Sequence, residues 1–403
     1  MSYGKKIPIT RPVFDQADLE SVTYPLKSGW VAQGSWVKRF ERAVASFCGT
    51  EFAVAVSNCT AALHLGLIAL GVQEGDEVVV PSFTYVATAN AVEYCRARPI
   101  FCDVSPADLT MDLELLEKSI TPRTKVIIPV SLFGVPVDMS AVKEVSEPHG
   151  LLVLEDAACS LGAFFGGIHA GTEARAAAFS FHPRKIITTG EGGMLITNDI
   201  QLADKVRQLR DHGASRSDLD RHLGQGGSLL PDFDVLGYNY RMTDIQGALG
   251  VSQMSKLNLF LASRLEAARR YDTLLADLEW IITPQATEEA TPSYQSYVVV
   301  ICREDKRWPS LEEVDELNLF RNGLMARLEE QGISTRQGTH AVHTLGYYKE
   351  RYGFRDEDFP ISFMSDRLSL ALPLYDGITF DDQVYVVESL AKWTAGRGRT
   401  RTG

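Results

Sequence analysis

Seven short apolar runs at 53–56, 77–80, 99–104, 125–130, 151–155, 176–181 and 193–197 limit what this chain can fold into more than any other feature. They are rich in β-branched residues and bounded by turn formers, which reads as buried strands. Helical patterns lie between several of them, at 60–70 (TAALHLGLIAL) and around 139–145. Such βα alternation predicts an α/β fold, with a mainly parallel sheet covered by helices on both faces. In such sheets ligands bind beyond the carboxyl ends of the strands, so the residues just after each run are the candidates for chemistry.

Beyond residue 200 the pattern changes. Residues 213–237 are polar and glycine-rich, a loop long enough to suggest a functional role. A long amphipathic helix is expected from 243 to 275, leading into a smaller C-terminal α/β domain with a strand at 297–302 and a helix at 317–331. The expected division is a large domain over 1–258 that includes the N-terminal arm, a small domain over 259–395, and a disordered tail over 396–403. A chain of 403 residues, 45% hydrophobic, supports two or three such units.

Composition removes several classes of function. No apolar run approaches the roughly 20 residues that span a bilayer. The N-terminal MSYGKKIPITRPVF has no apolar stretch after its lysines, so a secretory leader is not expected. Six cysteines occur without a C-x-x-C pair, which argues against disulfides and zinc and for a reducing cytoplasm. A net charge of -12, with only GRGRTRTG at 396–403 as a basic tract, argues against nucleic acid. An anionic substrate remains possible, because basic pockets occur inside acidic proteins.

Four segments at strand ends carry candidate chemistry. Ser57-Asn58-Cys59-Thr60 joins a strand to a helix, where free N–H groups and the helix dipole favour an anion, although simple helix capping accounts for the same residues. Asp156 ends the run at 151–155. A buried carboxylate there needs a cation, such as a protonated pyridine nitrogen, unless it merely caps the next helix. Lys185 follows a strand and precedes Gly190-Glu191-Gly192-Gly193. A desolvated lysine loses its proton readily, as Schiff-base chemistry requires, while a solvated lysine beside a flexible turn is the plainer alternative. Tyr85 follows the strand at 77–80, placed to stack on a planar cofactor or to fill the core. Together, an anion cradle, an aromatic plate, an aspartate and a lysine are the parts of a pyridoxal phosphate site.

The chain resembles the DegT-type nucleotide-sugar aminotransferases, a family with the aspartate-aminotransferase, fold-type I architecture, over about residues 10 to 390. The likeness rests on SGW at 28–30, SNCTAALHL at 57–65, PSFTYVATANAV at 81–92, ITPRTKVIIPV at 120–130, EDAA at 155–158, FSFHPRK…TTGEGGM at 179–194 and GYNYRMTDIQ at 237–246. The resemblance implies a seven-stranded mixed sheet and a pyridoxal 5'-phosphate cofactor. It makes Lys185 the Schiff-base lysine, Asp156 the partner of the ring nitrogen and Tyr85 the stacking aromatic. Cys59, Thr60 and Ser180 match phosphate-binding positions. Cys159 stands where relatives commonly place Gln, His or Glu near the phenolic oxygen. Asn239 matches a residue that reaches the phosphate of a neighbouring subunit, which implies a homodimer with shared sites. Trp30, Tyr240, Arg241, His340 and His343 fall in motifs near the substrate, with Ala341 replacing the usual proline of H-P-x-H. The implied activity moves an amino group from L-glutamate to a keto-sugar, as in the perosamine-synthase-like branch. A 3-keto-sugar or an 8-keto octulosonate fits the motifs nearly as well. Sugar dehydratases on this fold carry histidine in place of Lys185, and a non-catalytic regulator would not need the intact set.

Overall fold

A computed structural model describes residues 6–215 and 230–395. All seven expected strands form, as β1 (Phe52–Val56), β2 (Glu77–Pro81), β3 (Arg98–Cys102), β4 (Thr124–Ile127), β5 (Leu152–Asp156), β6 (Ala176–Ser180) and β7 (Gly193–Thr197). They make one sheet in the order β1-β7-β6-β5-β4-β2-β3. Only β7 runs against its neighbours; the remaining pairs are parallel. The carboxyl ends of β1, β2, β4, β5 and β6 therefore share one edge with the amino end of β7.

Side-chain alternation explains the two helical layers. Val54 and Val56 face one side, against α3 (Cys59–Ala69), while Ala53 and Ala55 face the other, against Val37, Phe40 and Val44 of α2 (Ser35–Cys48). α3 is buried nearly all round, from Ala61 to Leu67, because it lies between the sheet and further helices. The result is the fold-type I α/β architecture, with the sheet between helices.

A second module is built on three antiparallel strands, Ile281–Ile282, Tyr297–Ile301 and Ser369–Leu372. The helices Leu257–Leu274, Val314–Glu330 and Phe380–Ala395 cover it. The core includes Tyr271 and Tyr297, whose hydroxyls are satisfied by the Pro373 carbonyl at 3.0 Å and the Asp272 carboxylate at 2.6 Å.

One expectation needs correcting. The helix expected over 243–275 is two helices, Asp244–Met254 and Leu257–Leu274. At the break, Lys256 pairs with Asp15 at 3.0 Å and with the buried Asp18, which also accepts from Ser252 and Gln253. This polar knot fixes the first helix to the helix Gln16–Ser28, and the second turns into the other module. The first described residues of the N-terminal arm also reach the second module. Ile7 bridges Ile333, the Ile9 carbonyl accepts from Leu374, and Ile7 lies in that module's core. Of the loop expected over 213–237, residues 216–229 lie outside the described residues, as does the tail over 396–403.

Candidate active site

The shared strand edge opens on a cavity of about 730 Å³, lined among others by Cys59, Thr60, Tyr85, Asp156, Cys159, Ser180, Lys185 and Tyr240. Each arrives there for a local reason. Asn58 caps α3 by accepting from the Ala61 N–H at 2.8 Å. The amides of Cys59 and Thr60, first in the helix, take no partner among the described residues, and the helix dipole makes their end attractive to an anion. The cradle depends on Gly193, where β7 passes so close that a Cβ would stand 2.3 Å from the Asn58 carbonyl.

Asp156 forms the floor, only 5% exposed. Its carboxylate accepts from Thr88 Oγ1 at 2.7 Å and from the Ala158 N–H at 3.2 Å. Burial pushes this carboxyl above its ordinary range, offset only in part by Thr88, Ala158 and the Lys185 charge. A buried carboxylate held by two neutral donors suits a cationic ring nitrogen.

Lys185 follows β6 through a turn in which its N–H donates to the His182 carbonyl at 2.8 Å. Its Nζ donates to Cys159 Sγ at 3.0 Å. Burial acts to strip the ammonium of its proton, but Cys159, Cys59 and Asp156 outweigh it and hold the group above the usual lysine value. Burial in turn drives the Cys59 thiol well up.

Tyr85, 64% exposed, stands at the mouth. It follows the short strand Phe83–Thr84, which pairs with His340–Ala341 and so brings Arg336, Gly338 and Thr339 into the cavity wall. Tyr240 stacks on Tyr238 with centroids 5.1 Å apart, its hydroxyl 3.4 Å from Nδ1 of the buried His64.

Five of the expected residues do not line the cavity. Trp30 donates through Nε1 to the Gln33 carbonyl at 3.2 Å. Arg241 is tied to Asp211 at 2.5 Å, and Asn239, exposed, bridges the same Asp211 through its backbone. His340 is exposed, 3.7 Å from Asp366. His343 is fully buried, with Nδ1 2.6 Å from Ser82 Oγ and its ring against Phe359. Burial pushes its pKa down, so it packs as a neutral ring in the seam between modules. Arg184 and Arg336 line the cavity, and Thr88 and Gln295 take part without having been singled out for the site. Thr88 lies in the helical part of the 81–92 motif, where its spacing alone assigns it no role. The described residues hold no cluster of groups suited to a metal, and no helix long and apolar enough to cross a membrane.

A lysine and an aspartate facing a helix N-terminus, at the strand ends of this mixed seven-stranded sheet, define the class: a fold-type I enzyme that uses pyridoxal phosphate. Comparison with known proteins agrees. The chain is 36% identical to the spore coat polysaccharide biosynthesis protein SpsC of Bacillus subtilis, over 95% of this chain and 96% of that one. It is also 36% identical to the GDP-perosamine synthase of Caulobacter vibrioides, over 97% and 99%. Among solved structures, the PLP form of a Streptococcus pneumoniae protein assigned as a sugar aminotransferase superposes with a TM-score of 0.87. It is 28% identical and covers 97% of this chain and 99% of its own. Residues 12–391 match the DegT/DnrJ/EryC1/StrS aminotransferase family, and the chain belongs to it. It is a PLP-dependent aminotransferase.

Proposed function

We propose that this enzyme moves an amino group from L-glutamate to a nucleotide-linked 4-keto-6-deoxyhexose, for a surface polysaccharide or a secondary-metabolite sugar. The observation that carries the reading is the convergence of Lys185, Asp156 and the α3 N-terminus on one cavity. Two relatives named for spore coat polysaccharide and for GDP-perosamine support the sugar class.

Bound pyridoxal phosphate supplies a carbonyl carbon that takes up nitrogen and a ring that stores electrons. The amides of Cys59 and Thr60, with Ser180, would hold its phosphate, and Asp156 would hold the proton on its ring nitrogen. Tyr85 would cover the ring at the cavity mouth. The Lys185 amine, as general base and then acid, moves the proton taken from the donor's Cα. Asn239 lies exposed and outside its own cavity, which suits a residue that serves a second copy in a homodimer.

The test is to load the protein with pyridoxal phosphate, add L-glutamate, and follow the cofactor's visible band. The band should fall, and a 4-keto-6-deoxyhexose nucleotide should restore it with an amino-sugar product seen by mass spectrometry. A band unmoved by glutamate, or a Lys185→Ala protein that still makes the product, would sink the proposal.

A further inference from the structure

Amino transfer uses the Lys185 amine and leaves the thiol beside it chemically unchanged. None of the six cysteines is in a disulfide. Burial drives five of the thiols up: Cys95 and Cys102 to about 12, Cys302 to about 11, and Cys48 and Cys59 well above the ordinary value. The thiolate is the reactive form, so those five are poor nucleophiles at neutral pH. Cys159 has a different setting. It is half-buried in the wall of the cofactor cavity, and its Sγ accepts from Lys185 Nζ at 3.0 Å.

Both sides of this contact are pinned. The Cys159 carbonyl accepts from the buried Ser293 at 3.1 Å, and the Arg184 carbonyl accepts from the buried Gln295 at 2.7 Å. One short segment of the second module therefore fixes the backbone of the thiol and that of the residue before the amine. Two reactive groups held in contact in this way meet at a high effective concentration.

We propose that Cys159 and Lys185 form an oxidative cross-linking site, with hydrogen peroxide as the oxidant. The Cys159 thiolate attacks one peroxide oxygen and the O–O bond breaks. The departing hydroxide takes a proton from the Lys185 ammonium and leaves as water. Sulfur is thereby oxidised to a sulfenic acid, peroxide is reduced, and Lys185 becomes a neutral amine. A sulfenic acid condenses with a nearby nitrogen. The Lys185 nitrogen bonds to sulfur, the S–O bond breaks, and hydroxide leaves with an amine proton as a second water. A thiol reductant reverses the S–N bond, restoring thiol and amine and leaving as its own disulfide.

The cross-link removes the amine on which cofactor attachment depends. In the loaded enzyme the Lys185 nitrogen is free only while the cofactor carries a donor's amine, so the carbonyl form of the cofactor shields the site. The inference goes beyond amino transfer and is independent of which donor or sugar the enzyme takes.

The test exposes protein loaded with pyridoxal phosphate, and protein loaded with pyridoxamine phosphate, to hydrogen peroxide. Both are alkylated, digested and read by peptide mass spectrometry. The pyridoxamine-loaded protein should give a Cys159–Lys185 cross-linked peptide, lighter than its two parts by one pair of hydrogens. The pyridoxal-loaded protein should lack it. Oxidised protein freed of pyridoxamine phosphate and given pyridoxal phosphate should fail to develop the visible band of the lysine-bound cofactor, and dithiothreitol should restore the band. In Cys159→Ser the band should develop without reductant. Cys159 recovered as sulfinic or sulfonic acid beside a free Lys185 would overturn the proposal. So would a Cys59–Cys159 disulfide, or equal cross-linking in the two cofactor forms. An unoxidised protein that never develops the band would overturn this site and the assignment of Lys185 alike.

Discussion

Lys185 Nζ and Cys159 Sγ stand 3.0 Å apart, a contact between the reactive amine and a thiol on the opposite wall of the cavity. Cys159 is the first of the influences that raise the Lys185 pKa against burial. Cys159→Ala should therefore lower the pKa of this amine in cofactor-free protein. Labelling of Lys185 by an amine-specific reagent as a function of pH, read by peptide mass spectrometry, should show the midpoint moving to lower pH. A midpoint that stays in place would mean that Asp156 and Cys59 alone set the charge.

Glu155 points away from Asp156 into the opposite layer, fully buried, accepting from Ser131 Oγ at 2.6 Å and the Gly171 N–H at 2.7 Å. Burial raises its pKa from 4.5 to about 7, despite those two donors. A raised folded-state value means that the folded protein binds this proton more tightly than the unfolded chain. Its contribution is present in full below pH 4.5 and is lost as the pH climbs through about 7. Glu155→Gln should flatten that part of the stability profile. Urea midpoints measured across this range should fall less with rising pH in the variant, and parallel profiles would refute the assignment.

Gly193 marks the point where β7 crosses the start of α3, and a methyl group there would meet the Asn58 carbonyl carbon and oxygen at 2.3 Å. Backbone cannot retreat as a flexible side chain can. Gly193→Ala should cost about 1–3 kcal/mol, as overpacking does, and should displace the Cys59 and Thr60 amides. Calorimetry would give the stability change, and equilibrium dialysis against pyridoxal phosphate should show weaker binding. Wild-type affinity at reduced stability would separate the close approach from the anion cradle.

What could be read ahead of the structure follows from range in the sequence. The seven strands declare themselves because each is a local apolar run with its own turn signals, and Lys185, Asp156, Cys59 and Thr60 follow because they sit at strand ends. The break at Ser255–Lys256 is invisible locally, since the apolar stripe continues through it. The cause is Asp18, more than two hundred residues earlier and buried against Ser252, Gln253 and Lys256. His340 and His343 look alike as neighbours in a motif. Only the packing of Ser82 and Phe359 decides that His343 turns inward as a buried ring. The places of Arg336 and Thr88 are not set locally; they depend on the pairing of His340–Ala341 with Phe83–Thr84 and on the depth of Asp156.

The bridge between Ile7 and Ile333 bears on how the molecule is made. On the ribosome the arm emerges before the sheet, while the strands and helices that it completes appear after it. Ile7, buried in the finished protein, must wait exposed while nearly all of the sheet is synthesised. The second module is therefore closed by segments far apart in sequence, a pairing that favours slow, late docking over early nucleation.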